Sequence, residues 1–221
     1  VQVIETVKPP EPWVWVDWYD AEFASTKVTS VSETSKVAAP AGAPWTLDPW
    51  LTSGSHVALV FFYWSDTKDH RGYASGKVNS DLWFDEDVAC ASRAYDCYRV
   101  DARKADKEAL AYYKVKQVPC VLILDQDRNR VASIDKFGNA RSLTSFLQDT
   151  LKSKFPDRWK QFQEGLKEIA KSFGEGKAAV QKQDFDAARD RLSFVVGHEF
   201  RTEDYPRAKE LLAKSEKKLK K

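Results

Sequence analysis

The period of the apolar positions changes several times along the chain, and each change marks an element. Val57-Ala58-Leu59-Val60-Phe61-Phe62-Tyr63-Trp64 is a continuous apolar run of strong β formers. Such a run predicts a central strand covered on both faces. The polar stretch Ser65-Asp66-Thr67-Lys68-Asp69-His70-Arg71-Gly72 then leads into a helix or loop. Leu82, Val88, Ala89 and Ala91 fit a helix running to about Ala94, with Asp85 to Asp87 as acids near its first turn. Cys97 to Asp101 alternates and predicts a short strand, and Ala105 to Tyr113 predicts a helix. Val121 to Leu124 reads as a second buried strand, and Val131 to Ile134 as its hairpin partner after the turn at Asp125 to Asn129. Ser142 to Leu151 is amphipathic at helical spacing. Strand, helix, strand, helix, strand, strand, helix predicts a compact α/β domain, with crossovers followed by a hairpin and a closing helix.

The flanks differ from this middle. Trp13-Val14-Trp15-Val16-Asp17-Trp18-Tyr19 alternates in a way that suits a short strand with aromatic cover, and a Ser/Thr/Ala/Pro-rich stretch from Ser25 to Pro44 reads as a linker or extended wrap. Exposed tryptophans are costly, so the arm is expected to pack on the main domain. After Pro156, the positions Trp159, Phe162, Leu166, Ile169, Ala170 and Phe173 define one apolar helical face. Residues 1–54 are thus read as an aromatic arm and linker, 55–152 as the α/β domain and 153–221 as a helical extension.

Composition excludes some functions. With 35 basic and 33 acidic side chains the net charge is +2, which gives no electrostatic reason to expect nucleic acid or an anionic membrane as partner. Residues 152–221 carry 18 basic and 12 acidic side chains against 17 and 21 in the first 151, a basic helical tail on a mildly acidic body. No apolar stretch is long enough for a membrane helix. The sequence contains no methionine, even at position 1, so it is read as a processed or trimmed product, with exported or periplasmic residence preferred. Cys90, Cys97 and Cys120 are too few for a disulfide framework and, with three histidines, form no metal-ligand spacing. No metal or cofactor is expected.

Several residues in this order resemble the thioredoxin superfamily over about 100 residues. The apolar strand ending at Trp64 resembles the strand that delivers the family's Trp-Cys-x-x-Cys motif to a helix N-terminus. Val118-Pro119 is similar to its cis-proline element, Asp125 to Asn129 to its last hairpin turn, and Phe137-Gly138 to the aromatic-glycine pair before its final helix. Gly176 to Ala188, followed by Leu192, resembles one tetratricopeptide unit, with Tyr205, Ala208, Leu211 and Leu212 continuing on a third helix. A single such unit must pack on something, here most simply on the body.

The resemblance implies a thioredoxin-like fold and places Ser65, Asp66, Thr67 and Lys68 on the four positions of the Cys-x-x-Cys motif. Dithiol exchange needs a thiolate and a resolving thiol, which these residues lack. Ser65, Asp66 and Thr67 are instead residue types that cap a helix, a simpler reading than a Ser65/His70 nucleophile pair or an Asp66/Asp69/His70 cluster. The expectation is a noncatalytic protein- or peptide-binding module with Trp64, Val118 and Pro119 as its edge and Ser65 to Lys68 beside it. Two alternatives stay open: an atypical thiol-disulfide protein using Cys120 or the Cys90/Cys97 pair, and a structural subunit of a larger assembly, self-association included.

Overall fold

The computed structural model describes residue 16 and residues 18–25, 45–48 and 57–220, and the side chains of 16, 18–22 and 57–220. Most of the aromatic run and of the linker lies outside these residues. The chain enters as β1 (Tyr19–Asp20), followed by a small hairpin of β2 (Glu22–Ser25) and β3 (Trp45–Asp48), in which Glu22 pairs with Asp48 and Ser25 with Trp45. Then come β4 (Ala58–Tyr63), α1 (His70–Asp81), α2 (Glu86–Ser92), β5 (Asp96–Asp101), α3 (Lys107–Tyr112), β6 (Cys120–Leu124) and β7 (Arg130–Ile134). Four helices close the chain: α4 (Ala140–Lys154), α5 (Pro156–Gln181), α6 (Phe185–Gly197) and α7 (Tyr205–Leu219).

The main sheet has the order β1-β5-β4-β6-β7. β1, β5 and β4 run parallel, whereas β4/β6 and β6/β7 are antiparallel, so the sheet is mixed and flanked by helices. β4 sits at its centre because it is apolar on both faces. Leu59 and Phe61 face one buried cluster with Val78, Val88, Leu143, Leu147 and Leu151 of α1, α2 and α4, and with Leu82 just beyond α1. Ala58, Val60 and Phe62 face the other, with Tyr98, Tyr113, Leu122 and Leu124, next to α3. Each such side chain, fully buried, is worth ~1.5–3 kcal/mol. That preference pins the register, because a slip of one residue would exchange the two faces.

Three differences from the expected elements have local causes. The aromatic run yields a strand only at Tyr19–Asp20 among the described residues. Trp18 turns onto the body, edge-on to Trp83 at 4.8 Å and beside Phe61 at 5.8 Å, as the packing argument required. The helical region before β5 is split in two: α1 ends at Asp81, and Asp85 starts α2 by accepting hydrogen bonds from the amides of Asp87 and Val88. Finally, α5 runs unbroken through Gly174 and Gly176 to Gln181. A Cβ on Gly176 would meet the Leu192 side chain at 2.8 Å, so this glycine sets the close approach of α5 and α6.

The C-terminal helices are not separate from the body. Phe162, Ile169, Phe173, Ala188, Leu192, Val195, Phe200, Ala208 and Leu211 belong to the same buried cluster as Leu59 and Leu147. Among the described residues no helix is long and apolar enough to cross a membrane.

Candidate functional site

Phe62 of β4 pairs with Cys120 of β6, so the segment leaving β4 at Trp64 and the segment entering β6 through Val118-Pro119 lie side by side at one end of the sheet. The Val118–Pro119 peptide bond is cis. The structure therefore brings together the two groups of residues singled out from the sequence: Trp64 to Lys68 on one side, Val118 and Pro119 on the other.

Between β4 and α1 the chain makes a tight loop. Asp66 holds it, its carbonyl accepting from the Asp69 amide at 3.1 Å and its Oδ1 from the Lys68 amide at 3.1 Å. Gly72, in the first turn of α1, is pressed against this loop, where a Cβ would lie 1.9 Å from the Asp66 carbonyl oxygen. Trp64 is fixed by its backbone amide, which donates to Ser75 Oγ at 3.0 Å, while Ser75 Oγ donates to the Arg71 carbonyl at 2.8 Å.

The cap of α1 is not where the residue types placed it. Asp69, rather than Ser65, Asp66 or Thr67, is the N-cap, its Oδ1 accepting from the Arg71 amide at 2.8 Å. The same carboxylate takes both ends of the Arg71 fork, Nε at 3.0 Å and Nη2 at 2.7 Å. Held in this way, the guanidinium stacks on Trp64, 3.5 Å from the ring centroid. Arg71 in turn holds the quarter-exposed Asp69 carboxyl far below the usual carboxylate range, mainly through that side-chain hydrogen bond. In the sequence Asp69 enters only through the Asp66/Asp69/His70 cluster, which the capping reading outweighs, and Arg71 carries no candidate role. The signal for Asp69 was an acid two residues before a basic one at a helix start, hidden by the better-looking Ser-Asp-Thr just upstream.

Ser65 is exposed, and its Oγ accepts from Arg103 Nη1 at 3.3 Å. His70 does not face it: the exposed imidazole has Nδ1 3.3 Å from Asp69 Oδ1. Among the described residues no group of His, Cys, Asp and Glu is gathered as a metal ligand set. Phe61, Tyr63, Trp64, Gly72, Ser75 and Gly76 are among the residues lining a cleft of about 300 Å³ between β4 and α1.

All three cysteines are free thiols. Cys90, half-buried on α2, is raised to about 11, first by loss of solvent and then by the Asp87 carboxylate. Cys120, buried at the start of β6, is raised to about 12, again mainly by burial. Cys97 is buried, its Sγ 3.4 Å from the Ser92 carbonyl oxygen. At neutral pH the Cys90 and Cys120 groups are therefore protonated, the opposite of the thiolate that exchange chemistry requires.

Comparison with protein-family models, with curated proteins and with solved structures found no match.

Proposed function

We propose that this chain is a thioredoxin-like module that has kept the binding edge of that superfamily without its redox pair, and that it acts by holding an extended peptide or protein segment. The reading is carried by one observation: the Val118–Pro119 segment that enters β6 stands beside a strand-to-helix loop whose four motif positions, Ser65 to Lys68, contain no sulfur. Supporting it are the order of elements, the hairpin of β6 and β7, and Phe137-Gly138 immediately before α4. An extended chain is held at such an edge by backbone hydrogen bonds, a form of strand addition that needs no thiol. Trp64, its ring face braced by Arg71, and Val118 supply apolar contact to the bound segment. The protonated state of Cys90 and Cys120 argues against the thiol-disulfide alternative.

The test is selection of random linear peptides on the folded chain, followed by affinity measurement on Val118→Asp and Trp64→Ala. Retained peptides should bind each variant at least about tenfold more weakly, a loss of ~1.4 kcal/mol. Peptides that bind both variants as well as they bind the parent chain would remove the proposal. Insulin reduction by dithiothreitol should run no faster with the chain present.

A further inference from the structure

A groove of about 690 Å³ lies between α5 and α6. Its α5 wall is the stripe Glu168, Lys171, Ser172 and Glu175. Its α6 wall is a second stripe with the same spacing, from Ala187 through Asp190 and Arg191 to Phe194. Positions three, four and seven residues apart lie on one side of a helix, so each helix turns one continuous face to the groove. Other faces of the two helices are already used. Phe162, Ile169 and Phe173 of α5 and Ala188, Leu192 and Val195 of α6 belong to the buried cluster, and α7 packs along α6. No other described element contributes to the groove walls.

Five charged side chains line the groove, and three of them are paired. Arg191 Nε lies 3.0 Å from Glu175 Oε2, and Asp190 Oδ1 is 3.2 Å from Arg189 Nη2. Glu168 and Lys171 are exposed and form no ion pair among the described residues. They have opposite signs and stand one turn apart on the same face of α5. Phe194, with 41% of its surface exposed, is the large apolar side chain of the groove. Ser172, 8% exposed, and Ala187 are small, so another helix can approach this face closely.

We propose that this groove is a self-association surface, closed by the same groove of a second copy of the chain about a two-fold axis. A two-fold contact requires a surface that is complementary to itself. Two α5 helices meeting antiparallel, with the axis between Glu168 and Lys171, set each Glu168 against the partner subunit's Lys171, twice in the dimer. A partner of one charge would leave Glu168 or Lys171 facing its own sign. Phe194 loses water in the same contact, as aromatic side chains do at the buried centre of interfaces. A net charge of +2 on 221 residues opposes the approach of two copies only weakly. Exposed ion pairs contribute little affinity, so Glu168 and Lys171 set the register while apolar burial drives the contact. The inference does not depend on the peptide reading, since none of these residues belongs to the Trp64 and Val118 edge.

The experiment is sedimentation velocity on the full chain across a dilution series, which should show a reversible equilibrium between monomer and dimer. Phe194→Asp should weaken the dimer at least about tenfold. Glu168→Lys and Lys171→Glu each set like charges against one another and should each weaken it about threefold to tenfold. The two exchanges combined restore the opposition with the signs reversed and should recover the dissociation constant of the parent chain. General damage to the fold cannot produce that recovery, and each variant should unfold at the parent's temperature when dilute and monomeric. Trp64→Ala and Val118→Asp should dimerise as the parent does, so that loss of peptide capture and loss of self-association are read separately. A chain that stays monomeric at every concentration overturns the inference and leaves the groove to a foreign helix. Dimerisation unaltered by Phe194→Asp, or a double exchange no better than the single ones, overturns it as well.

Discussion

Gly72 occupies a position where the backbone admits no side chain. A methyl group there would lie 1.9 Å from the Asp66 carbonyl oxygen, a backbone atom that cannot swing aside. Gly72→Ala must therefore push the Ser65 to Lys68 loop off the first turn of α1, and the expected loss is ~1–3 kcal/mol in denaturant unfolding. Stability unchanged within error would show that the loop does not need this contact. Asp69 gives a pH-dependent counterpart. Its folded pKa is depressed by Arg71, so the unfolded chain binds its proton more readily, and the contribution to stability is complete above the ordinary aspartate value near ~4. It is lost as pH falls through that value towards the folded one. Asp69→Asn should accordingly be less stable than the parent at neutral pH and show a flatter decline of melting temperature below about pH 4; parallel curves would mean that the Arg71 pair carries no linkage. The thiols give a third residue-scale test. With Cys90 at about 11 and Cys120 at about 12, alkylation by iodoacetamide at neutral pH should be slow in the folded chain and complete for all three cysteines on unfolding. A thiol that reacts rapidly in the native protein would favour the thiol-disulfide alternative.

At the scale of elements, what could be read from the sequence depended on how the element is buried. β4 and β6 lie within the sheet with both faces covered, so each writes an unbroken apolar run, and both were read to within a residue or two. α2 was legible through its acidic start at Asp85 to Asp87. α1 was not, because its buried face is made of Gly72, Ser75 and Val78, and small residues leave little periodic signal. The loop before it was located correctly while its cap was misplaced, since Ser65, Asp66 and Thr67 are capping types and only the backbone path shows that α1 starts at His70. The stacking of Arg71 on Trp64 could not be read at all, because it depends on that start and on the loop length together. The junction of α4 with α5 offers a test of how the helices are tied to the body. Arg158, with a side chain only 14% exposed, donates through Nε to the buried Ala94 carbonyl at 3.1 Å, reaches Glu199, and lies over the Phe200 ring. Glu199 is more than half exposed, so that ion pair contributes little, and the hydrogen bond to Ala94 dominates. Arg158→Ala should cost about 1–3 kcal/mol, whereas Glu199→Gln should cost less than about 1 kcal/mol. Reversal of that order in urea titrations would place the anchor in the wrong partner.

For the whole molecule, the strands and most helices of the α/β body could be reasoned from local pattern, but the joining of its parts could not, because contacts such as Phe162 with Phe200 have no local signature. Within the chain the helices pack on the body. One buried cluster runs from Val57 and Leu59 in the sheet through Leu143, Leu147 and Leu151 of α4 to Phe162, Ile169 and Phe173 of α5 and on to Leu192, Val195 and Leu211. Phe162 meets Phe200 edge-on at 5.1 Å, and a Cβ on Gly165 would lie 2.6 Å from the same Phe200 ring, so the α6–α7 connection is seated on α5 with no slack. Apolar burial shared in this way couples the stability of the parts: unfolding the helices alone would return apolar surface of this shared cluster to water at ~25 cal/mol for each Å² exposed. The chain should therefore lose its helices and its sheet in one transition, with the near-ultraviolet tryptophan signal and the far-ultraviolet helix signal falling together. Two resolved transitions, the helical signal going first while the tryptophan signal holds, would show that residues 153–221 are an independent unit. Gly165→Val separates a general weakening from a local one: with a continuous core it lowers the single midpoint, and both signals move with it.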